Sequence, residues 1–351
     1  MDPALGVAPD RIVAAEVLRR AGKALGFVRV GFARAEQPFR FERFRDWIGR
    51  GHHARMSYLE ETMEVRARPE ELLEGARSVV CLAYPHRKAA PVASDGARVA
   101  RYAWGPDYHQ TLRERAEELA QSAIRALGPL RYRVCVDSTP VAERSFAAAA
   151  GLGWIGKNGC LIDPEHGSFL LLAEILTDLD LPPDEPIAEL CGSCVRCIAA
   201  CPTQAFLAPG LLDARRCLSY WTIEHRGAIP DEIKERVGDQ LFGCDICQEV
   251  CPWNAPIPAP QAVSMSGSRA KEDPIPTRGE WLAMGKGEWR RRYGATAFNR
   301  AGRRGMQRNA AASVGALADP GASDRLPADA TDPGLADAAG WARRRLTLPT
   351  R

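Results

Sequence analysis

Eight of the eleven cysteines in this 351-residue chain fall between Cys191 and Cys251. Cys191, Cys194, Cys197 and Cys201, followed by Pro202, read C-x-x-C-x-x-C-x-x-x-C-P, and Cys244, Cys247 and Cys251, followed by Pro252, repeat the later part of that run. Runs of this spacing hold [4Fe-4S] clusters in bacterial two-cluster electron carriers, where the fourth cysteine of each run serves the other cluster. A complete second copy would need cysteine where Leu241 stands, and Cys217, between the runs, supplies that ligand. The spacing therefore predicts one cluster on Cys191, Cys194, Cys197 and Cys251, and another on Cys201, Cys217, Cys244 and Cys247.

Two other uses of cysteine fit less well. Structural zinc prefers two C-x2-C pairs joined by a longer spacer, and gives no reason for a third cysteine at the same interval or for the prolines. A disulfide framework belongs to oxidising compartments and mostly to short secreted chains. Cys81, in Ser78-Val79-Val80-Cys81-Leu82-Ala83, and Cys135, in Tyr132-Arg133-Val134-Cys135-Val136, read as buried strand positions. Cys160 follows a glycine-rich loop, and its reactivity is left open.

A second group of residues could move protons. Asp137 lies in Val136-Asp137-Ser138-Thr139-Pro140-Val141, at the end of an expected strand. Thr139 and Pro140 read as the cap and first residue of the next helix, so Asp137 is not needed as a cap. A carboxyl desolvated at a strand end could have a raised pKa and act as an acid near neutral pH; a turn or salt-bridge role is the alternative. His109, in Trp104-Gly105-Pro106-Asp107-Tyr108-His109, enters a helix behind Asp107. Asp107-x-His109 opens like the corrinoid motif D-x-H-x-x-G, but Leu112 replaces its glycine. Gly151-Leu152-Gly153-Trp154-Ile155-Gly156 matches the dinucleotide fingerprint in letters only, because a helix rather than a strand precedes it.

The elements that must position these groups follow from periodicity. Helices are expected over 11–25, 38–61, 107–127 and 140–150, and strands over 26–33, 77–84, 131–137 and 168–176, an alternation that argues an α/β domain. The 11–25 helix should bury Ile12, Val13, Val17 and Leu18. Leu181-Pro182-Pro183-Asp184-Glu185-Pro186 reads as a linker, and Pro252, Pro256, Pro258 and Pro260 close the cysteine-rich part. Three domains are expected: 1–184, 185–260 and 261–351. The last looks helical, with Met306–Leu317 like one helix of a HEAT-type repeat, Leu335–Leu346 a second, and Asp319–Pro333 a loop.

At 46% hydrophobic and 26% charged residues the composition is globular. The amphipathic N-terminal helix is unlike the apolar core of a signal peptide, and no run reaches the ~18 apolar residues of a membrane span. Cytoplasmic residence is expected. The net charge is only +3, but Arg278, Lys286, Arg290, Arg291, Arg292, Arg300, Arg303, Arg304 and Arg308 face only Glu280 and Glu288 in their segment. Charge alone supports a phosphate-binding surface, with Trp281, Trp289, Tyr293 and Phe298 for stacking, and a solvated helical face equally.

Six separated segments together resemble the epoxyqueuosine reductase family over nearly the whole chain. They are Trp104-Gly105-Pro106-Asp107-Tyr108-His109; Val136-Asp137-Ser138-Thr139-Pro140-Val141; Gly151-Leu152-Gly153-Trp154-Ile155-Gly156-Lys157-Asn158; Cys191-Gly192-Ser193-Cys194; the Leu212–Tyr220 segment around Cys217; and the Phe242–Asn254 segment around Cys244, Cys247 and Cys251. The resemblance implies an α/β cobalamin-binding catalytic domain, a ferredoxin-like domain with two [4Fe-4S] clusters, and a C-terminal HEAT-like segment that binds tRNA. It implies reduction of the epoxide of epoxyqueuosine to the alkene of queuosine at the wobble position of tRNA anticodons. Asp137 would then be the general acid, with Asp107 and His109 lining the pocket. Trp154, Lys157, Asn158, Ser219, Cys244 and Asp245 would contact the corrinoid, held base-off without a lower histidine. Arg290, Arg291, Arg292, Arg303, Arg304 and Arg308 would meet tRNA. An external flavodoxin or ferredoxin-like donor and a monomeric state are also expected.

Two rivals remain at this stage. A corrinoid reductive dehalogenase shares the cofactors but usually carries an export signal and has no use for the arginine-rich segment. A non-catalytic ferredoxin-type carrier would have no use for Asp137.

Overall fold

The computed structural model describes residues 10–86, 91–255 and 274–347. Asp10 starts α1 (Arg11–Ala24) by accepting the amides of Ile12 and Val13. The face that α1 buries is Ala14, Ala15, Leu18 and Gly22, whereas Ile12 and Val13 are exposed. Small residues win because the helix lies tightly on its neighbours: a Cβ on Gly22 would sit 2.6 Å from Val30 Cγ2.

After β1 (Arg29–Arg34), the single helix expected over 38–61 is broken. Helix α2 (Phe41–Gly49) ends in a turn where Gly51 and Ala54 take positive φ, and the short helices α3 (Ser57–Glu61) and α4 (Met63–Ala67) follow. The remaining elements of this region are β2 (Ser78–Pro85), β3 (Arg98–Val99), α5 (Tyr108–Leu127), β4 (Tyr132–Cys135), α6 (Glu143–Ala149), the hairpin β5 (Trp154–Ile155) and β6 (Leu161–Ile162), and β7 (Leu170–Thr177).

The main sheet has the order β1-β2-β7-β4 with every pair antiparallel. Strands β2 and β4 are thus parallel to each other, joined through α5, with β7 inserted between them as in a split β-α-β unit. Helices α1 and α5 cover Phe32, Val80, Leu82, Val134 and Ile175 on one face. Helix α6 covers Val79, Cys81, Cys135 and Leu176 on the other. The alternation of helix and strand therefore holds, and both faces are covered as an α/β layer requires.

Helix α6 begins three residues later than expected, at Glu143, and Thr139 does not cap it. The chain has already reversed at Asp137, whose φ is +47°, and Glu143 Oε1 accepts the Asp137 amide at 2.7 Å. At its other end Leu152 N–H bonds Ala147 O and Gly151 N–H bonds Ala148 O, a Schellman closure with Gly151 at φ +69°. The glycine motif is therefore a helix end and the start of a hairpin.

The cysteine-rich segment has little regular structure: α7 (Arg196–Ala199), β8 (Phe206–Ala208), β9 (Leu211–Leu212), α8 (Asp231–Lys234), β10 (Gln240–Phe242) and α9 (Ile246–Glu249). Its linker is pinned, since Asp184 takes the Phe32 amide and the Arg19 guanidinium. Its apolar side chains form two small groups, one around Trp154, Ile162 and Cys251, the other around Leu218, Ile229 and Ile233.

The chain ends in α10 (Arg278–Ala283), α11 (Lys286–Tyr293), α12 (Gly302–Leu317) and α13 (Pro333–Thr347). Residues 319–333, expected as a loop, contain a 3-10 turn at Pro320–Arg325. The boundary at 260/261, with Pro256, Pro258 and Pro260, lies outside the described residues. These helices share one core with Ala97 and Val99 from the first region and Leu241 and Phe242 from the cysteine-rich one. No helix among the described residues is long and apolar enough to cross a membrane.

This core overturns part of the basic-surface reading. Trp281, Trp289, Tyr293 and Phe298 are all buried and pack ring against ring, Trp281 on Tyr293 at 4.8 Å and Phe242 on Phe298 at 4.9 Å, so none is a stacking platform. Arg278 is buried against Asp95 and Ser313. Arg308 is 2% exposed and donates to the carbonyls of Trp221, His225 and Gly227 and to Asn309 Oδ1. It is a strut between α12 and the cysteine-rich segment, and cannot meet tRNA. Arg290, Arg291 and Arg304 are exposed, and Arg292 and Arg303 are half-buried.

Arg308→Ala removes the guanidinium donor from the Trp221 and Gly227 carbonyls and Asn309 Oδ1, and leaves His225 O only its bond from Arg226, so urea denaturation should show a loss of about 3 kcal/mol or more. Arg291→Ala, on the surface, should stay within about 0.5 kcal/mol of wild type.

Candidate active site and cysteine centres

Asp137 stands where β4 runs out, with its carboxylate turned toward α5. His109 Nε2 lies 2.6 Å from Asp137 Oδ2, and His109 Nδ1 lies 2.6 Å from Asp107 Oδ1. Asp107 is also the cap of α5, taking the His109 amide at 3.0 Å. Tyr108 donates its hydroxyl to Asp137 Oδ2 at 3.0 Å and stacks on the His109 ring, centroids 4.1 Å apart.

An imidazole with a carboxylate on each nitrogen can donate to both only as the imidazolium. Burial alone would lower the His109 pKa, but the bonds and charges of Asp107 and Asp137 outweigh it and raise it to about 9. Burial alone would raise the Asp137 pKa; the His109 bond and charge, the Tyr108 bond and the Arg300 charge instead hold it below the ordinary carboxylate value. The expectation of a raised pKa at Asp137 is therefore corrected. At neutral pH the proton sits on His109, and Asp137 is the carboxylate through which it can leave.

The same carboxylate opens into a cavity of about 400 Å³. One wall is α2, with Phe41, Phe44 and Trp47; a second is Asp137, Glu143 and Arg144; a third is Asn158, Gly159 and the β8–β9 turn at Gly210–Leu212. Arg40, Arg43 and Arg66 complete it, and the neighbouring charges of Arg43 and Arg144 add to burial in lowering the Arg40 pKa. Among the described residues the lining contains no histidine and no cysteine. Tyr58 also lines it, with the Arg300 guanidinium 5.4 Å from the centre of its ring, so the arginine-rich segment reaches the rim.

The cysteines gather in two groups. Cys191, Cys194, Cys197 and Cys251 line one small cavity together with Lys157, Asn158 and Trp253. Beside burial, the Cys201 charge raises the Cys217 pKa, Cys217 and Cys201 raise that of Cys244, and Cys160, Cys244, Cys217 and Cys197 raise that of Cys247, so these thiols lie near one another. Donors point at the sulfurs. Trp154 Nε1 lies 3.4 Å from Cys191 Sγ and Ala205 N lies 3.3 Å from Cys201 Sγ; backbone amides reach Cys197, Cys217, Cys244 and Cys251. Such donors suit sulfur that carries negative charge, yet burial, with the neighbouring Cys217, Asp245 and Cys201 adding to it, pushes the Cys244 thiol up to about 12. Donor set and burial together fit a soft, cationic metal centre. Among the described residues no group of three or more His, Cys, Asp or Glu closes on a single ion. Cys160 is a different case: burial pushes its thiol up to about 11, which leaves it unreactive as a nucleophile.

The residues expected to contact a corrinoid are divided. Only Asn158 lines the large cavity, and its Nδ2 also reaches Cys247 O at 3.4 Å. Trp154 is buried in edge contact with Trp253 and belongs to the surroundings of Cys191. Lys157 donates to the Gly192 and Cys194 carbonyls, fastening the first cysteine loop. Ser219 bonds Cys217, and Asp245 takes the Arg101 amide at 2.8 Å. These four spend their polar groups at the cysteine loops rather than on the cavity, Trp154 and Lys157 on the first loop, Ser219 on Cys217, and Asp245 in tying its loop to Arg101. Arg66 and the α2 aromatics escaped notice in the sequence because they reach the site from elements far along the chain, and Glu143 and Tyr108, though close in sequence to Asp137 and His109, because nothing local says which way their side chains turn.

The family model "Epoxyqueuosine reductase QueG, DUF1730" matches residues 66–138, and "4Fe-4S double cluster binding domain" matches residues 190–254. The epoxyqueuosine reductase of Xanthomonas campestris pv. campestris is 40% identical over 328 residues, 91% of each chain. That of Gloeobacter violaceus is 40% identical over 313 residues, 87% of this chain and 97% of its own. A crystal structure of an epoxyqueuosine reductase with an epoxyqueuosine-modified tRNA-Tyr stem loop superposes with a TM-score of 0.87 at 30% identity, covering 97% of this chain and 92% of the other. The Bacillus subtilis epoxyqueuosine reductase, solved with its catalytic aspartate loop swung out of the active site, gives 0.85 at 29% identity, with the same coverage.

The ion pairs of His109 tie stability to pH. Its pKa is raised, so their contribution is complete below the unfolded value of 6.5 and is lost as pH rises through about 9. The difference in urea midpoint between wild type and His109→Gln should be largest near pH 6 and vanish above pH 9.

Proposed function

The chain belongs to the epoxyqueuosine reductase family and is an oxidoreductase; on that footing we propose that it reduces epoxyqueuosine in a tRNA anticodon to queuosine, with Asp137 delivering a proton to the epoxide oxygen. The observation that carries this reading is the single cavity that has Asp137 on one wall and, on another, Asn158, which touches the Cys247 backbone. Proton donor and electron supply thus meet across one space.

Iron–sulfur binding follows from the matched double-cluster domain. Two [4Fe-4S] clusters on the two cysteine groups, and cobalamin in the cavity, are the finer reading. The aromatic wall of α2 suits a flat macrocycle, the arginines suit its phosphate, and the histidine-free lining suits a corrinoid without a lower axial ligand. When bound, these groups supply electrons one at a time from an external flavodoxin or ferredoxin-like donor and a strongly reducing cobalt centre. Three domains are proposed: cobalamin-binding and catalytic over 1–184, ferredoxin-like over 185–260, and tRNA-binding and HEAT-like over 261–351. The extensive contact of α12 with α13, in which Gly315 lies against Trp341 and Ala342 and Gly334 against Arg308, supports the last. A monomer in the cytoplasm is the expected setting.

The chain's own residues do the rest. Asp107 holds the His109 ring and its tautomer, and His109 stores the proton. Tyr108 orients the Asp137 carboxylate, which stands over the cavity. As the epoxide oxygen gains charge, Asp137 passes the proton on and is recharged from His109. Filling the cavity with substrate excludes water and strengthens this transfer. Outside the cavity, the exposed Arg290, Arg291 and Arg304 offer phosphate contacts.

Asp137→Ala should retain iron and a corrin absorption band while losing anaerobic turnover of epoxyqueuosine-containing tRNA by at least about 100-fold; wild-type turnover would remove the acid role. Iron without cobalt in the purified protein, after growth with cobalamin, would favour the electron-carrier alternative. Replacing Arg290 and Arg291 with alanine should lower the slope of log K against log salt for tRNA binding by roughly 0.7–0.9 per lost phosphate contact.

A further inference from the structure

Converting an epoxide to an alkene breaks both C–O bonds and expels the oxygen as water, consuming two electrons and two protons. The electrons come from the external one-electron donor. The His109–Asp137 pair holds one proton that can be given up near neutral pH, since His109 has one proton to lose.

Resting on the substrate reading above, the geometry points to Glu143 as the donor of the second proton. Glu143 lines the same cavity as Asp137, six residues along the chain and on the same wall. Its Oε1 accepts the Asp137 amide at 2.7 Å, fixing the Glu143 carboxyl against the Asp137 backbone and leaving Oε2 to carry a proton. In the balanced step, the oxygen takes its first proton from Asp137 as one C–O bond breaks. It takes its second from Glu143 as the other breaks and water leaves.

The surroundings of Glu143 favour a neutral carboxyl. Burial comes first, and the Asp137 carboxylate adds to it; the Asp137 amide, Arg144 and Arg66 pull the other way, and the balance lies at about 7. The other groups facing it are Tyr108 from α5, Cys135 from β4 and Glu174 from β7. Glu174 is the telling one. It is 0% exposed, lies between Cys81 and Cys135 on the α6 face of the sheet, and has no hydrogen-bond partner for either oxygen among the described residues. A charge there would be uncompensated, so Glu174 stays protonated, and the inner side of Glu143 is a low-dielectric wall.

The test is the pH profile of single turnover of epoxyqueuosine-modified tRNA by the reduced holoenzyme. Wild type should lose rate as pH rises through about 7, where Glu143 ionises, and again through about 9, where His109 does. Glu143→Gln keeps an amide oxygen to accept the Asp137 N–H, so a purely positioning role predicts little change. Proton donation predicts a rate about 100-fold lower or more with the break near 7 gone, while iron content, corrin spectrum and stem-loop binding stay as in wild type. Glu143→Ala should regain turnover with added formic acid, which a lost structural contact would not. A wild-type profile without a break between pH 6 and 8, or Glu143→Gln with the wild-type rate and break, overturns the proposal. Wild type inert toward this tRNA at every pH removes the substrate reading itself, and this proposal with it.

Discussion

Eight thiols set into a segment with almost no apolar core of its own are the constraint around which this molecule is arranged. Buried sulfur resists ionisation, so the thiols can act as anionic ligands only beside a cation and within reach of N–H donors, and both cysteine groups have such donors. The apolar side chains near them form only two small groups. Stability must therefore come from outside the segment. It comes from the β3–β10 pairing, from Arg308 and Asn309 of α12 holding its carbonyls, and from the fully buried Lys234 paired with Asp337 of α13 at 2.6 Å.

That outside support explains the shape of the core. The C-terminal helices, the 93–103 stretch and the β10 strand bury one continuous set of side chains, with Trp281 and Phe298 near its centre. A helix that must both pack and satisfy foreign carbonyls cannot be purely apolar, which is why α12 buries Gln307, Arg308, Asn309 and Ser313 among alanines. Polar groups inside such a helix cost little when every one is bonded.

On the other side of the cavity, proton chemistry depends on a backbone reversal. Asp137 at positive φ turns its amide to Glu143 and its carboxylate to His109 and Tyr108, so one residue joins a sheet edge, two helices and the cavity. Left-handed φ is uncommon for a non-glycine residue and persists here because three hydrogen-bonded neighbours hold it, Glu143, His109 and Tyr108, with Asp107 in turn holding His109. The antiparallel sheet contributes by placing β7, with Glu174, directly behind α6.

The sequence by itself determined what local spacing can encode. The cysteine intervals and Cys217 divided eight thiols into two expected sets, of which Cys191, Cys194, Cys197 and Cys251 line one small cavity, the alternation of helix and strand announced a two-faced sheet, and six separated segments pointed to the family to which the chain belongs. Tertiary structure decided everything set by distant neighbours. It moved the proton from Asp137 to His109, because two carboxylates converge on one ring. It removed Arg308 and the four aromatics from the tRNA surface, because α10, α11, the 297–300 turn and α12 all pack into the shared core. It drew the cavity wall from α2, α6 and the β8–β9 turn, elements some 170 residues apart at their extremes. Charge state and burial are properties of surroundings, and surroundings exist only once the chain has folded.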